Sequence, residues 1–366
     1  MLSDHGDGMQ GATPHLTLEE IYSQPTLWRT TPPLVADASL KLNLSSRLQG
    51  RRLLLTGAGT SAYAAAAVAA AWLNAIAVPT TDLLLDTAHH LEGMDVVVSL
   101  ARSGNSPESA AVVAAVRSLH PRIYQLAITC NADGALAHSE LDGLIALDPR
   151  TNDRSLVMTS SFSNLVLAGL CLANPVHAAA SVEDACSRAQ AMLPAIDQQC
   201  RRLAERVQDR IVMLASSPAL GWAHEAALKA MEMTAGRFPV LAESYLGLRH
   251  GPMSFIRPDT LVMCLLANDP IRRLYEKDLI DELRAKKLGY LVAIGDSEKD
   301  DGLADELLPA IAPQLSDALR TPYEIVSGQL LGYHLGLRIG LNPDNPSPGG
   351  IINRVVQGVR IHSPER

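Results

Sequence analysis

Residues 51–61 read RRLLLTGAGTS, and residues 95–109 read DVVVSLARSGNSPES. Each is an unbroken apolar run that ends in glycine and hydroxyl residues and then enters a helix-forming stretch. A run that is apolar at every position, rather than at alternate ones, is what a strand buried on both faces of a parallel sheet requires. The turn after such a strand offers unpaired N–H groups and the positive end of a helix dipole to an anion. Two of these units in succession predict an α/β fold, a parallel sheet flanked by helices.

The pattern continues outward. A third strand over 125–129 ends at Cys130-Asn131 before a short helix at 134–137, and a fourth strand covers 143–147. Thr159, Ser160 and Ser161 then stand at the mouth of an apolar helix over 162–172. Residues 62–78, AYAAAAVAAAWLNAIAV, read as one buried helix, since the run is short, alanine-rich and interrupted by Asn74. Ahead of the first strand, Thr17 as N-cap and Glu20 three residues on predict a capping box for a helix ending near Gln24-Pro25.

The second half echoes the first. Residues 210–215, RIVMLA, repeat the first strand and 260–266 the second, with helices over 225–235 and 274–285 and a third strand over 290–294. Ala267-Asn268-Asp269-Pro270 stands where Ala101-Arg102-Ser103-Gly104 stood, so the second copy lacks the serines and the arginine. The expected division is an arm and short helices over 1–40, a first domain over 41–200, a second over 201–345 and a tail over 346–366.

Composition narrows the function. With 366 residues the chain exceeds one hydrophobic core, and 47% hydrophobic against 19% charged residues describes a globular protein. A formal charge of −8 without a cluster of Lys and Arg disfavours nucleic acid as a partner, and no segment reads as a membrane span. The opening residues lack the apolar centre of a secretory leader. Five cysteines without metal-type spacing suit reduced core thiols of a cytoplasmic protein.

Gly57-Ala58-Gly59 lacks the third glycine of a dinucleotide fingerprint and no Walker lysine follows, so neither NAD nor a nucleotide is expected, and no other cofactor or metal. Arg102, Ser103, Ser106 and the bare backbone at Gly104 instead form the donor set for a small phosphate monoester.

Chemistry is concentrated in residues 225–252, EAALKAMEMTAGRFPVLAESYLGLRHGP. Glu225, Lys229 and Glu232 fall at i, i+4 and i+7 and share one helix face. Taken alone, such a pairing is more often a solvated surface. Beside a phosphate cradle it also supplies a carboxylate able to take a proton from carbon. His250, followed by Gly251 and Pro252, sits at a bend, and histidine is the side chain type best suited to shuttling protons near neutral pH.

These features together resemble the sugar isomerase (SIS) family, in particular its galactosamine-6-phosphate deaminase branch, AgaS. The likeness runs from Glu19-Glu20-Ile21 through Arg249-His250-Gly251-Pro252 to the tail at 353–359. The resemblance implies two tandem SIS domains of flavodoxin-like build. It implies that Ser61, Arg102, Ser103 and Ser106 hold the phosphate and that Glu232, flanked by Lys229 and Glu225, moves a proton between C1 and C2. Lys229 would balance charge developing on the sugar oxygen. His250 would assist ring opening, lent by a partner subunit in a homodimer or larger assembly, and Thr159 and Ser160 would meet sugar hydroxyls. The related isomerase domain of glucosamine-6-phosphate synthase follows a glutaminase domain, whereas this chain opens on Met1-Leu2-Ser3, so ammonia made from glutamine is not expected. That domain uses a tail lysine for a Schiff base, and residues 346–366 contain none. The implied activity is deamination of D-galactosamine 6-phosphate to D-tagatose 6-phosphate. The alternatives are plain ketose/aldose isomerisation, a glucosamine-6-phosphate deaminase, or a non-catalytic phosphosugar-binding regulator.

Overall fold

The computed structural model describes residues 15–347, 349–356 and 358–362. The arm read at the start of the chain, up to residue 14, and Gln357 of the tail lie outside the described residues. Three helices come first: α1 (Leu16–Trp28), α2 (Thr31–Lys41) and α3 (Leu44–Leu48). The first repeat opens with β1 (Leu53–Thr56), α4 (Thr60–Ala70), β2 (Ala75–Ala77), α5 (Thr80–Leu85) and α6 (Thr87–His90). It is completed by β3 (Val96–Ala101), α7 (Pro107–Leu119), β4 (Tyr124–Thr129) and β5 (Gly143–Ala146). Two helices, α8 (Ser160–Ala173) and α9 (Pro175–Arg206), lead to the second repeat. It begins with β6 (Ile211–Ala215), α10 (Leu220–Met233), β7 (Val240–Ser244) and α11 (Tyr245–Leu248). Then come β8 (Leu261–Leu265), α12 (Pro270–Ala285), β9 (Tyr290–Gly295), β10 (Glu306–Pro309) and α13 (Asp317–Arg338).

The strands form two five-stranded sheets, ordered β2-β1-β3-β4-β5 and β7-β6-β8-β9-β10, and every pairing is parallel. The two orders are the same, so the duplication read from the sequence is present in the topology. In each sheet the order reverses beside the first strand, which opens a crevice at the carboxyl ends of β1 and β3, and again of β6 and β8. All four of these strands are buried at every residue, as their unbroken apolar runs require.

Close helix packing joins the repeats. A Cβ on Gly221 of α10 would lie 2.7 Å from Ala67 Cβ on α4. On the other side, a Cβ on Gly328 of α13 would lie 2.5 Å from Ala226 Cβ, and one on Gly336 2.6 Å from the Met233 carbonyl. The glycines let α10 lie against both neighbours at near backbone contact. One core cluster accordingly runs through both repeats, from Leu53 and Val96 to Met213, Ala226 and Leu330. The boundary expected at 200/201 falls inside α9, which continues through Pro194 to Arg206 and ties the halves together.

Four local expectations need correction. The alanine run is not one helix: α4 stops at Ala70, Asn74 turns with φ 63°, and residues 75–77 pair with β1 as an edge strand. Residues 134–137 are turn rather than helix, because the Ala135 and Leu136 N–H groups go to Asn105 Oδ1 and the Gly104 carbonyl. Thr17 does not cap α1; Asp344, beyond α13, accepts from Leu16 N, Thr17 N and Thr17 Oγ1 at 3.0, 2.8 and 2.8 Å, while Glu20 accepts from Arg154 N and Ser155 N. Nor does α1 end at Pro25. The Gln24 side-chain amide donates to the Ile21 carbonyl, which has no N–H from Pro25 to accept, and the helix reaches Trp28.

Candidate active site

The site begins at the turn between β1 and α4. Gly57 is required there, since a Cβ would fall 2.5 Å from the Ser61 carbonyl carbon, and Gly59 takes φ 57°, ψ −128°, a region that L side chains avoid. This tight turn places Thr60 and Ser61 at the first residues of α4, facing α10.

Across from it, the three polar residues of α10 do share one face. Glu225 and Lys229 are fully buried, whereas the Glu232 side chain is 26% exposed. Lys229 Nζ lies 3.3 Å from Glu225 Oε1, pairs with Glu232 Oε2, and donates to Thr60 Oγ1 at 3.1 Å. Thr60 in turn donates to Glu225 Oε1 at 3.2 Å. The first repeat's turn and the second repeat's helix therefore meet in one hydrogen-bonded cluster.

Burial sets its electrostatics. Desolvation pushes the Glu225 carboxyl up to about 8, even though Lys229 beside it pulls the other way. Its Oε2 is buried without a hydrogen-bond partner, which further disfavours the ionised form. Burial alone would draw the Lys229 ammonium down, but the neighbouring carboxylates outweigh it and hold it above its ordinary value. Lys229 thus bridges the two carboxyl groups, and Glu232 alone of the three opens to solvent.

The loop after β3 approaches from the first sheet. Arg102 is buried and donates to the carbonyls of Leu156 at 3.0 Å, Ser155 at 3.4 Å and Arg354 at 2.6 Å. Burial lowers its pKa, Arg354 adds to this, and Asp153 and Glu232 oppose it. These donors fasten backbone, including the tail. Arg354 repeats the device, reaching Asn152 Oδ1 at 2.7 Å and the Asp153 carbonyl at 2.8 Å. Ser103 and Ser106 remain half-buried on the loop, with Ser106 Oγ 2.7 Å from Ser109 Oγ and Ser103 Oγ accepting from Asn105 N at 3.3 Å. Ser61 Oγ has only Met158 Sδ, 4.0 Å away, as its partner among the described residues.

Thr159 and Ser160 are not open to a sugar. Both are fully buried, and with Ser161 they spend their backbone N–H and hydroxyl groups on the buried carboxylate of Asp153, at 2.5 to 3.1 Å. Asp153 thus closes the N-terminus of α8, a role that three successive hydroxyl residues after an acid could have signalled. Lys229 is fully enclosed by Glu225, Glu232 and Thr60. His250 is exposed on the bend after α11, with Gly251 at φ 119° beside it.

Tyr63, one turn along α4, is a neighbour the sequence did not single out. Burial raises its pKa, with Glu225 and Glu232 adding to the effect, and its ring lies 5.6 Å from that of His224. A surface cavity of about 660 Å³ lined by Arg47, Arg51, Arg122 and Tyr124 lies at the amino end of the first sheet, away from these groups. All five cysteines are buried and unpaired, and no helix among the described residues is long and apolar enough to cross a membrane.

The fold and this cluster define a duplicated α/β protein with a buried Glu–Lys–Glu cluster between its halves. Residues 48–174 match the SIS domain. The chain is 36% identical to an AgaS protein of Streptomyces coelicolor, over 95% of each chain. It is 35% identical to the D-galactosamine-6-phosphate deaminase AgaS of a Shewanella species, over 94% of this chain and 91% of that one. The crystal structure of tagatose-6-phosphate ketose/aldose isomerase from Escherichia coli superposes with a TM-score of 0.85 at 30% identity, covering 99% of this chain and all of that one. The chain belongs to the SIS-domain family, in its AgaS branch.

Proposed function

We propose that this protein is an amino-sugar phosphate deaminase/isomerase that converts D-galactosamine 6-phosphate to D-tagatose 6-phosphate and ammonia. The observation that carries the reading is the half-open Glu232 carboxylate, held by a buried ammonium, at the seam between the two repeats. Such a carboxylate is paired with a cation, fixed in direction and close to the turn suited to an anion, as proton transfer on a phosphorylated sugar requires. The names of the relatives support the substrate class.

In the open-chain amino aldose, Glu232 takes the C2 proton while O1 gains one, giving an enolamine. Reprotonation at C1 gives a ketimine at C2, and water replaces its nitrogen, releasing ammonia and the ketose. The substrate's own nitrogen forms the imine, so no lysine is needed for it. Ser61, Ser103, Ser106 and the turn amides are the groups for the phosphate. His250, exposed on its bend, is placed to serve ring opening in a second copy of the chain, making a homodimer the smallest complete unit.

A second reading, isomerisation without deamination, uses the same groups and is favoured by the name of the E. coli structure. Ammonia release from galactosamine 6-phosphate and from glucosamine 6-phosphate, set beside interconversion of tagatose 6-phosphate with its aldose, separates them. The proposal expects ammonia from galactosamine 6-phosphate as the fastest of the three reactions. Turnover of tagatose 6-phosphate with no ammonia from either amine would overturn it.

A further inference from the structure

In the sequence, the hydroxyls of the Gly57–Ser61 turn all look like ligands for an anion. Thr60 is committed elsewhere. An ammonium has no lone pair, so the 3.1 Å contact is Lys229 donating to Thr60 Oγ1, and the hydroxyl proton goes to Glu225 Oε1 at 3.2 Å. Thr60 is buried, and among the described residues it is the one first-repeat side chain hydrogen bonded to the cluster. We propose that Thr60 is a positioning residue for the proton transfer: bridging Lys229 and Glu225, it directs the ammonium at Glu232 and fixes the Glu225 carboxyl in place.

The geometry gives each contact one direction. Lys229 sits between two carboxyls, and without a third acceptor its ammonium could swing toward the enclosed Glu225 and leave Glu232 less well held. The Thr60 bond also favours ionisation of Glu225, opposing the burial that resists it. The other charged or titratable groups facing the cluster are Glu232 on α10 itself, Tyr63 on α4, and Arg102 acting on Glu232 from the loop after β3. From α13 the cluster meets Gly332, whose Cβ would lie 3.0 Å from the Lys229 carbonyl, and so gains no charge.

The kinetic part of the test rests on the deaminase/isomerase reading, so a second readout needs no substrate. Thr60→Val keeps the shape and removes the hydroxyl, while Thr60→Ser restores it. Loss of a hydrogen bond to a charged group predicts a fall in kcat of about ten- to a hundredfold for Thr60→Val with KM nearly unchanged. Thr60→Ser should return kcat to within about threefold of the parent protein. Independently, ¹³C NMR of carboxyl-labelled glutamates, with Glu225 assigned from the Glu225→Gln difference, should show the Glu225 titration moving to higher pH in Thr60→Val and back in Thr60→Ser. If Thr60→Val does not fold, Thr60→Ala carries the same test. A Glu225 titration that superposes in all the folded variants would overturn the proposal whatever reaction the protein performs. So would a loss carried by KM alone, which would make Thr60 a substrate contact.

Discussion

Replacing Glu225 by glutamine separates the neutral from the ionised form of the buried carboxyl. Its pKa is raised by burial from 4.5 to about 8, so between these values the folded protein holds a proton that the unfolded chain has released. The sign follows directly. The stability this group contributes is whole below pH 4.5 and is lost as pH rises through the folded value near 8. At about 1.4 kcal/mol per pH unit, the loss across that window is on the order of 4–5 kcal/mol. The Glu225→Gln protein has nothing to ionise there and should be spared. Thermal unfolding of both proteins from pH 5 to 9 reads the effect: the Tm of the variant should rise relative to the parent with each step in pH and level off above about 8. At pH 7 about nine-tenths of the parent already carries the neutral carboxyl. The variant should therefore keep its rate within a few fold at pH 7 and lose the inflection near 8. A Tm difference that is constant with pH would refute the assignment of a neutral Glu225.

Two further perturbations test the supports of the site. Asp153→Asn turns an amide N–H₂ toward donors already aimed at the carboxylate and removes charge from the N-terminus of α8; a loss of about 3–5 kcal/mol in chemical denaturation is expected, and a loss below about 1 would contradict the role given to Asp153. Gly328→Ala places a Cβ 2.5 Å from Ala226 Cβ, so α10 must withdraw by about 1 Å to reach ordinary contact. Overpacking of about 1–3 kcal/mol is partly offset by about 1 kcal/mol of helix propensity, so stability should fall by no more than about 2 kcal/mol while kcat falls at least tenfold as α10 shifts. Unchanged kcat would mean that α13 does not set the position of the cluster.

Much of the architecture could be read from residues whose physics is local. The buried parallel strands declare themselves because their positions must be apolar, and the second copy repeats the run at 210–215. The helix face of Glu225, Lys229 and Glu232 follows from the α-helical period alone. What escaped depended on hydrogen-bond and pairing partners rather than on period. The three residues of β2 carry no strand signal of their own and are ordered by β1. The continuation of α1 past Pro25 rests on a side-chain amide that replaces a missing backbone donor. Arg102 looked like an anion ligand because nothing local reveals that the carbonyl of Arg354, about 250 residues away, would take one of its donors. Thr159 and Ser160 looked free because their hydroxyls were read without their acceptor, Asp153, although it lies only six and seven residues ahead. Thr60 went unnoticed for the same reason, its partners lying on the other repeat.

The central claim is that the Glu232 carboxylate, at the seam of the two repeats, carries the proton from C2. The most direct measurement follows deuterium in galactosamine 6-phosphate labelled at C2, by NMR and mass spectrometry, with the parent protein and with Glu232→Gln, after isothermal titration has shown that both bind the sugar phosphate. The account predicts that the parent moves the label from C2 to solvent or to C1 of the ketose, and that the variant binds equally well but leaves it at C2. Label leaving C2 in the variant at more than a few per cent of the parent rate would contradict it.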